Sequence, residues 1–132
     1  MDPIADMFTI LRSAKGAGKD KAVFNYSKVK LAILEILKNH KQIRDYRILE
    51  KKNAKDTKEI EHQKIEVDIS HETLFNITRI STPGQRVYSS SKKIPRPKRQ
   101  RAIIIISTPQ GILEGEEARK KGLGGEVMAE LR

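Results

Sequence analysis

The chain has 132 residues, of which 27 are basic and 17 acidic, giving a formal net charge of +10, with 37% apolar content and no cysteine. That length holds one domain or two small ones; the lack of cysteine excludes a disulfide framework and a thiolate metal site; and the charge favours polyanionic partners, nucleic acid first and an acidic membrane face second. The acidic start MDPIADM is not a secretory signal, and the aliphatic run Ala102 to Ile106 is far too short to span a bilayer, so the chain reads as soluble, cytoplasmic and without a membrane partner.

Asp2-Pro3 predicts a helix start, an N-cap acceptor followed by proline at the first helical position. Ile4, Met7, Phe8, Leu11 and Ala14 then form one apolar stripe, which Gly16 and Gly18 end. Thr9, Arg12, Ser13 and Lys15 fall on the other face. Ala22 to Tyr26 reads as a short strand. Ser27 caps a second helix, with an apolar stripe of Val29, Ala32, Ile33, Ile36 and Leu37. Lys28 and Lys30 sit in its first turn, where the helix dipole disfavours cations and a bound phosphate would relieve the conflict. Ile43 to Glu50 and Glu59 to Ile69 read as paired strands, joined by the polar loop 51–58. Ile65, Val67 and Ile69 point inward, and Glu66 and Asp68 outward.

Residues 70–76 read as a boundary. A hairpin follows, Ile77 to Ile80 and Gln85 to Tyr88, with Pro83-Gly84 suited to the turn between them. Lys92 to Arg101 carries six cations and no acid, and Pro95 and Pro97 break any long helix there. Ala102 to Ile106 predicts a central strand and Val127 to Leu131 the last one. The fold class is therefore α+β: an N-terminal helix-strand-helix-strand-strand unit (1–70) packed on a mostly antiparallel β C-terminal unit (71–132) with short helices.

No catalytic constellation assembles from these residues. His40, His62 and His71 lack ligand spacing, and Glu114, Glu116 and Glu117 beside Arg119, Lys120 and Lys121 read as a charged surface turn. Neither an enzyme, a metal, a cofactor nor a small-molecule substrate is expected. Nucleic acid fits better. Lys98, Arg99 and Arg101 would supply phosphate contacts, which position without specifying sequence. Ser107 and Thr108, leaving a rigid buried strand, offer hydroxyls suited to base edges, 2′-hydroxyls and phosphates. Gly124 and Gly125 permit close backbone approach. Glu126, an acid on a basic surface, would accept from a base amino group or orient neighbouring lysines. Tyr88 would stack on a base or ribose, or serve as core.

DPIADMFTILRSA at the start, SKVKLAILEIL in the second helix, RISTPGQRVY in the hairpin and ISTPQGILEGEEARKKGLGGEV at the end together resemble one family, the bacterial-type small-subunit ribosomal protein eight, nearly end to end. The resemblance implies a two-part α+β fold and primary binding to the central domain of small-subunit ribosomal RNA, at an irregular helix with bulged and unpaired bases. It also implies neighbouring small-subunit proteins as partners and, in some bacteria, repression through an mRNA mimic of the rRNA site. The main recognition surface it implies comprises Tyr88, Ser107, Thr108, Gly124, Gly125 and Glu126. A second contact is implied through Thr9, Arg12, Ser13, Ser27, Lys28 and Lys30. The family's loop usually reads Ser-Thr-Ser, whereas Pro109 stands third here, removing a hydroxyl and a backbone donor worth about 0.5–1.5 kcal/mol per neutral hydrogen bond. The basic RPKRQRA before the central strand and the ending AELR also depart from the usual pattern.

Overall fold

A computed structural model describes residues 2–49, 63–69, 77–94 and 103–131. The fold is α+β, with elements in the order α1 (Pro3–Gly16), β1 (Lys21–Asn25), α2 (Lys28–Asn39), β2 (Asp45–Leu49), β3 (Lys64–Asp68), β4 (Ile77–Arg79), β5 (Tyr88–Ser89), β6 (Ile103–Thr108), β7 (Gly111–Glu114), α3 (Gly115–Lys120) and β8 (Gly125–Leu131). Two compact units emerge, residues 6–75 and residues 1–5 with 76–132. The 51–58 loop, the 70–76 boundary and the basic positions Lys98, Arg99 and Arg101 lie outside the described residues.

Helix α1 forms as its local chemistry dictates. Pro3 presets φ in the first turn, and the Asp2 carboxylate accepts the Ala5 N–H at 3.3 Å. Ile4, Met7, Phe8, Leu11 and Ala14 are all buried. The helix ends in a Schellman arrangement: Gly18, at φ +72, donates to the Lys15 carbonyl at 3.1 Å, and Lys19 N–H donates to that of Ala14 at 2.9 Å.

In α2, Ser27 caps as expected, its hydroxyl accepting the Lys30 N–H at 3.4 Å. The buried stripe, however, is rotated from the expected one. Lys30, Ile33, Leu34 and Leu37 face inward with Ile36 beside them, while Val29 is 39% exposed. Positions 30, 33, 34 and 37 make one helical face, and Lys30 fills its first place with its aliphatic stem. The accompanying sheet has the order β1-β3-β2, antiparallel throughout. Phe24 pairs with Ile65 and Ala22 with Val67, and all four are buried. On the outward face Glu66 receives Arg47 at 2.9 Å and Lys21 at 3.4 Å.

The second sheet is built on β8, which pairs with β4, β5 and β6; β6 in turn pairs with β7. Its aliphatic strand is internal, as its all-apolar sequence requires. The expected hairpin closes at its turn, where Thr82 and Gln85 exchange backbone hydrogen bonds around Pro83-Gly84, but its arms further out take other partners. Ile77–Arg79 pairs with Ala129–Leu131 and Tyr88–Ser89 with Gly125–Glu126, both against β8. A seven-residue β8 offers enough edge for both arms to lie end to end along it, so the STPG turn projects from that edge. Glu114 to Lys121, read as a charged turn, forms the end of β7 and the helix α3 with its cap. Ala118 of α3 is fully buried against Ile94, Ile104, Ile106 and Val127, which explains why so charged a segment is held in place.

Candidate nucleic-acid interface

Three of the residues singled out from sequence are brought into one row. Tyr88 lies opposite Glu126 across β5–β8, and Ser107 lies opposite Glu126 across β8–β6. Directly opposed residues in antiparallel strands project to the same face with Cβ atoms about 5 Å apart, so an aromatic ring, a carboxylate and a hydroxyl share one surface. Tyr88 is 71% exposed, which sets aside a core role and leaves its ring open for stacking. Ser107 and Glu126, each one position outside the strand expected from sequence, lie inside β6 and β8, where flanking hydrogen bonds hold the backbone.

The two hydroxyls of the pair differ. Thr108 is buried, and its Oγ1 accepts the Gln110 N–H at 3.2 Å while donating to the Gly111 carbonyl at 2.8 Å. It braces the two-residue turn containing exposed Pro109, and a ligand would find one remaining lone pair. Among the described residues the Ser107 hydroxyl has no such internal partner. Gly124 and Gly125 likewise face inward. A side chain at Gly125 would collide with the Ser107 carbonyl, and a Cβ at Gly124 would sit 2.5 Å from the Ser89 carbonyl. Their close approach is to neighbouring strands of the protein, and by permitting it they bring Tyr88, Glu126 and Ser107 together.

Glu126 is anchored. Its Oε2 accepts from Ser81 Oγ at 2.7 Å and from Arg86 Nη1 at 3.0 Å, and Ser81 Oγ accepts the Val87 N–H at 3.1 Å. Neither Ser81 nor Arg86 stood out in the sequence. Both lie in RISTPGQRVY, where Ser81 reads as an ordinary turn residue; the hint was an acid forty residues away without an evident cation.

In the 6–75 unit, Thr9, Arg12 and Ser13 lie on the exposed face of α1 and Lys28 is exposed at the start of α2. Ser27 spends its hydroxyl on the helix cap. Lys30 is turned inward. It is 7% exposed, its Nζ donates to the Asn25 carbonyl at 3.0 Å and it lies 5.7 Å from the Phe24 ring centroid. Burial holds its ammonium below the ordinary lysine value, Asp6 opposes that shift and Lys64 adds to it. Of the two first-turn cations expected to meet phosphate, Lys30 is thus turned into the protein and Lys28 lies on the surface. Among the described residues no cluster of histidines and acids is disposed to hold a metal, and no helix is long and apolar enough to cross a membrane.

A family model described as Ribosomal protein S8 matches residues 2–131. Among curated relatives, a "Small ribosomal subunit protein uS8" from Kosmotoga olearia is 40% identical over 127 residues, covering 96% of this chain and 95% of the relative. Proteins of the same name from Zymomonas mobilis and Corynebacterium urealyticum are 36% and 39% identical, covering 98% and 97% of this chain and 96% and 95% of their own lengths.

Proposed function

The chain belongs to the ribosomal protein S8 family, and from that premise we propose that it is a structural component of the small ribosomal subunit that binds the central domain of small-subunit ribosomal RNA, supporting subunit assembly and translation. The observation that carries the RNA reading is the Tyr88–Glu126–Ser107 row: a stacking ring, a fixed acceptor and a hydroxyl on one sheet face. Irregular RNA presents splayed bases, and a rigid sheet with an exposed aromatic suits them, whereas a regular duplex would offer this row little beyond phosphates. The chain's net charge of +10 supplies sequence-independent attraction to the backbone.

Footprinting of the purified protein on small-subunit rRNA tests this reading. Protection confined to one irregular helix of the central domain is expected; protection scattered over every duplex would reduce the protein to a charge-driven RNA coat. In competition binding, Glu126→Ala should weaken the protected helix about tenfold or more and change a plain duplex little. An mRNA that reproduces the rRNA site would engage the same face, so competition between the two transcripts tests a regulatory role. Neighbouring small-subunit proteins are the further partners of such an assembly.

A further inference from the structure

We propose that Ser81, a fully buried residue, contributes to RNA selectivity by locking Glu126 so that Oε1 of its carboxylate faces the ligand as an acceptor for the exocyclic amino group of an unpaired base. This rests on the RNA-binding reading and deepens it. A buried hydroxyl must find partners, and Ser81 Oγ has two, accepting the Val87 N–H at 3.1 Å and donating to Glu126 Oε2 at 2.7 Å. The exposed Arg86 donates to that same Oε2 at 3.0 Å. Both donors thus converge on one oxygen, and among the described residues no hydrogen bond reaches Oε1.

The arrangement divides the carboxylate into a held oxygen and an offered one. Arg86 offsets the negative charge that would otherwise repel RNA phosphates. Glu126 stands between Tyr88 and Ser107 in register, so a base lying on the Tyr88 ring would present its edge to Oε1. An acceptor fixed there suits adenine, cytosine and guanine, which carry amino groups, over uracil, which carries none. Without Ser81 the carboxylate is free to swing toward Arg86 alone, and the acceptor loses its fixed direction. Ser81 is therefore a positioning residue acting through Glu126.

The test uses the full chain with two probes, a transcript of the small-subunit rRNA central domain and a perfect duplex of similar length, with chemical denaturation as a check on folding. Ser81→Ala should weaken transcript binding about fivefold to tenfold and leave duplex binding unchanged. In a Glu126→Ala background the same change should cost nothing more. Full additive losses would show that Ser81 acts independently of Glu126 and would overturn the proposal. Arg86→Gln, at an exposed position that does not threaten folding, should also weaken the transcript more than the duplex; equal losses would make Arg86 a plain phosphate contact and overturn the shared anchoring. A wild-type chain that fails to prefer the transcript defeats the RNA reading and this inference together. One that prefers it while Ser81→Ala binds like wild type defeats this inference alone.

Discussion

The Ser107 carbonyl of β6 approaches Gly125 of β8 so closely that no side chain fits at position 125: a Cβ there would fall onto that oxygen. The contact joins the two halves of the candidate recognition face, because Glu126 and Ser107 follow directly from it in the ladder. Gly125→Ala should therefore cost about 3 kcal/mol, as overpacking against backbone does, read as a lowered denaturation midpoint. Loss of RNA binding should track loss of folded protein. A stable Gly125→Ala chain that fails to bind RNA would instead place the RNA against that glycine.

Lys30 and Lys28 separate an inward cation from an outward one. Lys30→Met keeps the buried stem and should leave RNA affinity within about twofold. Lys28→Ala should weaken binding and lower the salt-dependence slope by about one unit if it meets one phosphate. A large loss from Lys30→Met together with no effect of Lys28→Ala would reverse the assignment.

Asp2 reports on the start of α1 through pH. Burial pushes its carboxyl up, but the hydrogen bond from Arg79 Nε at 3.1 Å, the Ala5 N–H and the Arg79 charge outweigh it, so the value lies below the ordinary 3.8. A carboxyl depressed in the fold stabilises it above its unfolded value and loses that contribution as pH falls through the folded one. Asp2→Asn should thus be less stable than wild type by about 1 kcal/mol at neutral pH, and the gap should close as pH drops below 3.8. A gap that does not narrow on acidification would assign the effect to shape rather than charge.

Lys41 ends α2 at φ 59, the left-handed conformation glycine adopts freely. Its N–H donates to the Lys38 carbonyl at 3.0 Å and Gln42 N–H to that of Leu37 at 2.9 Å, the same closure that Gly18 provides for α1. Lys41→Gly should raise stability by about 0.5–1 kcal/mol, measured by urea denaturation; a loss would show that the lysine side chain contributes more than its backbone costs.

Short-range chemistry makes several elements legible in the chain alone. Asp2-Pro3 and the 4-7-8-11-14 stripe specify α1, Ser27 specifies the start of α2, and the alternation over Ile65, Val67 and Ile69 specifies a half-buried strand, because each depends on residues within a turn or two of one another. The family motifs likewise located the candidate face in outline. Which distant segments partner one another emerges only once the chain is folded. STPG marks a turn, yet the arms on either side pair with β8, since ladder partners are chosen among distant strands and no local pattern records the choice. Lys30 reads as a surface cation until Asn25 and Phe24 are folded over it. Glu126 reads as an odd acid until Ser81, forty-five positions away, donates to it. The side-chain chemistry was visible in the chain throughout; its direction came from backbone geometry that brings distant strands within hydrogen-bond reach.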